Sequence, residues 1–225
     1  MALLTTRQAN PDRLVWLNGL FGRSPAYLST IYLDIVRHIV ETFWGFLAWN
    51  PRLDNYERLR RLGRAVDCRT GLGVDRAWGF ADRTFRPFCK PTRDEHLNYS
   101  VHKRRHGFKY QAIATPDGLV SSLSEPYRAT ENDWSMRGES GIQDRLRQVG
   151  PAFLPSLLTA TNDYIKIYEG QEPLYIYSHP AYHNSYGVLP PYPSLNKTAE
   201  QEYVNRRMTR ARICVENAFG TTANL

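Results

Sequence analysis

The feature that most constrains this chain is a block of strand-like sequence, from about Val74 to Leu123, held between segments of helical periodicity. Its centre is Trp78-Gly-Phe-Ala-Asp82-Arg-Thr-Phe-Arg-Pro87. Here an aromatic run is expected to end at an aspartate, followed by a basic, proline-limited turn. A second strand is expected within His102–Gly118 and a third within Leu119–Tyr127, leading to Glu131-Asn-Asp133 at the start of a helical pattern. Aspartates placed where separate strands give out can share one face of a sheet, which is what a two-metal phosphodiester site requires. Strand-end aspartates also serve as turn formers and helix caps, so spacing alone leaves both readings open.

Charge narrows the choice of partner. Arginine supplies 24 of the 29 cations, the net charge is +7, and Arg52 to Lys109 is dense in both basic types. A clumped, arginine-rich surface suits phosphate oxygens, because the planar guanidinium matches their geometry. Three widely spaced cysteines (Cys68, Cys89 and Cys214) form neither a disulfide framework nor a zinc pattern. The most apolar run, Ile39 to Trp49, contains Glu41 and is too short to cross a bilayer, so no membrane partner is expected. A nuclear or cytoplasmic protein is expected.

Two regions follow from the order of the signals. Residues 1–70 read as helical, and 71–225 as the strand-bearing domain, with Cys68–Gly73 as the connector. Residues 1–12 are polar and expected to fray. A short helix should stop at Gly22, and Ser24-Pro25 should start the next, with a stripe at Leu28, Ile31, Ile35, Ile39 and Phe43. Helices joined by Phe21-Gly-Arg-Ser24 match a helix-turn-helix, with Ala26 to Thr30 exposed for DNA contact, and equally match a packing hairpin. A basic helix is expected from Leu53 to Val66, another helix from Asn132 to Val149, and a short strand at Leu174–Tyr177. The last helix should open on a Thr198/Gln201 capping box, stop at Gly220, and present Arg206, Arg207, Arg210 and Arg212 as a cationic face.

Several motifs together resemble the DDE superfamily endonucleases, in particular the Harbinger/PIF-type transposases and genes domesticated from them. They are Gly79-Phe-Ala-Asp82-x-Thr, His102-Lys-Arg-x-His-Gly-Phe-Lys-Tyr-Gln-Ala-Ile, Thr115-Pro-Asp-Gly-Leu, Pro126-Tyr…Asp133, Tyr177-Ser-His-Pro-Ala-Tyr182 and Arg212-x-x-x-Glu216-x-x-Phe-Gly220. The resemblance spans about residues 70–220. It implies an RNase H-like fold of the α/β class, a mixed sheet flanked by helices, preceded by the helical region. It implies catalytic, metal-holding acids at Asp82, Asp133 and Glu216, with His179 a further candidate ligand, around two Mg²⁺ or Mn²⁺ ions. Lys103, Arg104, Arg105 and Lys109, with Arg206, Arg207, Arg210 and Arg212, would contact DNA, and a homo-oligomer or an accessory DNA-binding protein is the further partner considered.

Departures from that pattern matter equally. Arg83, Ser178 and Val101 stand where the family reads glycine, and His179 stands where it reads aspartate. The sequence ends five residues past Gly220, which reads as a C-terminal truncation. Three functions therefore stay open: a transposase-derived, metal-dependent DNA endonuclease whose activity has decayed, a DNA-binding remnant without chemistry, and a plain interaction domain that kept the fold for stability.

Overall fold

The computed structural model describes residues 2–9, 14–131, 142–149, 174–182, 186–193 and 195–223. Four helices come first. The residues expected to fray form α1 (Ala2–Ala9), because Leu3 finds an apolar seat against Leu17 and Leu28 that the local sequence does not reveal. Helix α2 (Leu14–Phe21) stops at Gly22, which takes the left-handed φ of 61° that a side chain disfavours. Helix α3 (Pro25–Ala48) starts as expected: the Ser24 hydroxyl accepts from the Tyr27 N–H at 3.3 Å, with proline at the first turn. Its apolar stripe is buried at Leu28, whereas Phe43 stays exposed. At its far end the Ser122 hydroxyl donates to the Ala48 carbonyl at 2.8 Å, tying the helix to the sheet.

Helix α4 runs Tyr56–Thr70, later than the expected Leu53–Val66, because Asn55 is the residue that caps it and Leu53 belongs to a 3-10 turn. Leu59 enters one apolar cluster with Trp78 and Ile176, and Val66 enters another with Phe80 and Val215. The helices before residue 70 thus share core with the strands after it.

Seven strands are present among the described residues: β1 (Ala77–Pro87), β2 (Tyr99–Ser100), β3 (Arg105–Ala114), β4 (Val120–Leu123), β5 (Tyr127–Arg128), β6 (Tyr175–Ser178) and β7 (Val188–Leu189). They order as β2-β3-β1-β6-β7, with β4 and β5 also on β3. Central β1 is antiparallel to β3 and parallel to β6, so the sheet is mixed. The outer edge of β3 is shared in turn by β2, β5 and β4, which splits the single third strand expected over Leu119–Tyr127 into two. The neighbours Phe80 and Ala81 point to opposite faces, Phe80 into the cluster with the last helix and Ala81 into the cluster with Trp78, which shares that cluster because the register shifts between Ala77 and Gly79.

A short helix, α5 (Ile142–Val149), buries Leu146 in the Trp78 cluster. The rest of the helix expected over Asn132–Val149 lies outside the described residues. The last helix, α6 (Ala199–Ala223), opens on the expected capping box: Gln201 N–H donates to Thr198 Oγ1 at 3.2 Å, and Thr198 N–H to Gln201 Oε1 at 3.1 Å. It continues past Gly220, which keeps a helical φ and does not act as a stop.

Burial pushes the Tyr175 and Tyr177 hydroxyls up to about 12. The folded state therefore holds these groups protonated where the unfolded chain would ionise them, near pH 10. Their stabilisation is complete below about pH 10 and is lost as pH rises towards 12. Denaturant titrations across that window should show falling stability, with a shallower fall in Tyr177→Phe.

Candidate functional site

Asp82 sits where β1 outruns one of its neighbours. The parallel partner β6 pairs only as far as Ala81 opposite Ser178, while the antiparallel partner β3 continues from Phe80–Ala114 to Pro87–Gly107. The expected turn after Asp82 is therefore absent: the strand runs on, because β3 supplies pairing from a distant part of the chain. Asp82 and Arg83 are the first residues of β1 beyond β6, and a cleft opens where the sheet narrows. The Asp82 carboxylate is buried, and its Oδ1 accepts from the Arg83 N–H at 2.8 Å. Its Oδ2 accepts from Arg212 Nη1.

Arg212 was expected on the cationic, DNA-contacting face of the last helix, on the same side as Glu216, and it is buried. The periodicity of α6 explains this: Met208, Ala211 and Val215 are all core residues, and position 212 falls among them at helical spacing. That arithmetic was available in the sequence, where the run of arginines obscured it. The second arm of the guanidinium donates from Nη2 to Glu216 Oε1 at 2.9 Å, so one arginine joins the first expected acid to the last. Glu216 itself is half-exposed, with 52% of its side chain accessible. Asp133, the second expected acid, lies outside the described residues.

His179 follows the end of β6, half-buried beside the same cleft. Its Nδ1 accepts from the Ala181 N–H at 3.2 Å, which leaves the ring proton on Nε2. Burial lowers its pKa, Asp82 opposes that, and the charges of Arg212 and Arg83 reinforce it. The imidazole is thus a neutral hydrogen-bond donor at physiological pH.

The cleft has a volume of about 1030 Å³ and is strongly basic. Arg83, Lys103, Arg105 and Lys109 line it together with His102 and His179, and Asp82 is the acid among the lining residues. Arg83 stacks on the Tyr182 ring at 5.3 Å, and Lys109 donates to the Glu131 carbonyl at 2.6 Å. Burial lowers the Lys109 pKa, Arg83 adds to that, and Glu131 works against it. Arg104 takes a left-handed φ of 51° in the turn before β3 and is not a lining residue. On α6, Arg206 and Arg210 are exposed, and the Arg206 and Arg207 guanidiniums lie over the Tyr203 ring.

A divalent hard cation needs several open carboxylate oxygens around it. Among the described residues no group of three or more His, Cys, Asp or Glu side chains converges in that way. Both Asp82 oxygens accept protein N–H groups, and a guanidinium joins Asp82 to Glu216. As they stand, these residues do not fit a divalent ion.

No curated protein and no solved structure matches this chain. A sequence model of the DDE superfamily endonucleases matches residues 81–224, well over half of its length. The match opens one residue ahead of Asp82 and takes in the whole of β3, of β6 with His179 beyond it, and of α6. The mixed sheet with its flanking helices is accordingly an RNase H-like fold, and the chain belongs to the DDE superfamily endonucleases.

Proposed function

We propose that this chain, of Harbinger/PIF-type descent, holds the DNA backbone in the cleft beside Asp82 and cuts it poorly. One observation carries the reading: four fixed cations, Arg83, Lys103, Arg105 and Lys109, line one cleft around a carboxylate already paired to Arg212. Phosphate contacts of this kind act independently of one another and of the acids, so affinity survives where chemistry is suppressed. His179 adds an Nε2–H donor suited to a phosphate oxygen. Helices α2 and α3 would extend the contact surface, because Ala26, Tyr27 and Thr30 are exposed at the front of α3.

Fluorescence anisotropy with a labelled duplex in EDTA tests the reading. The Lys103→Ala/Arg105→Ala variant should lose roughly tenfold or more in affinity. Its log–log salt slope should flatten by about 1.8, the loss expected for two phosphate contacts. Unchanged affinity and slope would remove the cleft from DNA binding. A second reading, brisk metal-dependent cleavage using Asp82, Asp133 and Glu216, is favoured by the family membership. Rapid nicking of supercoiled DNA by the wild-type protein in Mg²⁺ or Mn²⁺ would establish it instead.

A further inference from the structure

Arg212 links the central strand β1 to the last helix. Its guanidinium donates one arm to Asp82, in the middle of β1, and the other to Glu216, one turn further along its own helix. Both Arg212 and Asp82 are buried, with 10% and 12% of their side chains accessible. The planar fork suits this double task, since two carboxylates can each take a separate N–H edge. Other bonds fasten the same helix to the sheet: Arg86 Nη2 donates to the Phe219 carbonyl at 3.0 Å, and the Cys214 thiol faces the Thr115 carbonyl at 3.9 Å. The cation is thus seated by packing on either side, and it is not a surface arginine that has wandered into a cleft.

The charge count gives this seat a consequence. Asp82 and Glu216 bring two negative charges, and the one Arg212 guanidinium is already paired with both. A divalent cation arriving with Arg212 in place would have to compete with that charge for the same carboxylates. Displacing Arg212 would free both carboxylates at once and remove the competing charge.

We propose that Arg212 is the tethered cation of this acid site, a positioning residue that holds Asp82 and Glu216 in place and must leave before a divalent ion can bind there. The inference rests on the family reading of these acids. It is independent of DNA binding, because it concerns metal affinity in the absence of nucleic acid. Arg212→Met keeps the length and apolar stem of the side chain and removes its charge. The variant should be less stable than wild type in EDTA, with its two acids left unbridged. It should also bind Mn²⁺ at least tenfold more tightly by isothermal titration, and Mn²⁺ should raise its melting temperature while leaving that of wild type unchanged.

Arg212→Lys provides the second arm, should the methionine variant not fold. A single ammonium cannot bridge the two acids as the fork does, so its Mn²⁺ affinity should lie above that of wild type. Equal or weaker Mn²⁺ binding in a folded Arg212 variant would overturn the proposal. So would tight Mn²⁺ binding by the wild-type protein. Loss of DNA binding in the Lys103→Ala/Arg105→Ala variant, or its absence, bears only on the cleft.

Discussion

Asp82→Ala is expected to destabilise the protein by about 3–5 kcal/mol, the cost typical of leaving one partner of a buried ion pair without the other. In a chain of this size that lowers the melting temperature by roughly 10 °C. The reason is Arg212, which cannot reach solvent without unseating α6 and would keep only the half-exposed Glu216 as a partner. An acid that merely faced an open cleft would behave differently, since removing it would leave stability unchanged or improved. The double variant Asp82→Ala/Arg212→Met should recover much of the loss, because replacing both members of a buried pair is far cheaper than removing one. Urea unfolding of the two single variants and the double variant closes the cycle. Additive losses would show that the pair is not a coupled unit.

Gly63→Ala should also be damaging, by about 2 kcal/mol or more. On an exposed helix, alanine would be favoured over glycine by roughly 1 kcal/mol. At position 63, however, the added methyl would lie 2.0 Å from the Asp75 carbonyl oxygen and 2.9 Å from its carbon. That neighbour is backbone, and Arg60 pins the same residue through a 3.0 Å pair with the Asp75 carboxylate, so it does not move cheaply. Overpacking at its upper range costs about 3 kcal/mol, which outweighs the gain in helix propensity. Gly79→Ala is the control, because its methyl would sit 3.3 Å from the nearest atom. Chemical denaturation should separate the two clearly, and equal losses would show that the α4 contact yields easily.

The parts of the fold legible in the sequence are those decided within a few residues. Ser24 and Pro25 start α3, and Thr198 with Gln201 starts α6, because capping is settled between neighbours in the chain. The helical and strand blocks, and the motifs around Asp82, His179 and Glu216, were visible for the same reason. What could not be read depends on distant partners. Asp82 looked like the end of a strand because its continuation rests on β3, whose residues Ala112 to Gly107 pair with β1 from the far side of the 88–104 connection. Leu3 and Leu4 looked like part of a frayed end until α2 and α3 gave Leu3 a seat. Arg212 lay between these cases: its burial follows from the spacing of Met208 and Val215, and Glu216 is its neighbour one turn on, yet its pairing with Asp82 becomes apparent only when α6 lies across β1.

The order of the strands also sets a timetable for the chain as it is made. Strand β1 gains its antiparallel neighbour β3 soon after synthesis, but the residue that pairs with Ala77 on its other side is Tyr175. At about 5–20 residues per second, a ribosome needs roughly 5–20 s to travel from the end of β1 to the end of β6. Throughout that interval one flank of the central strand, including Phe80 and Ala81, offers unpaired backbone groups to any extended segment nearby. Premature release, or a pause in the stretch between β5 and β6, would prolong this open-edged state, and chaperone demand should peak there and fall once residue 178 has emerged.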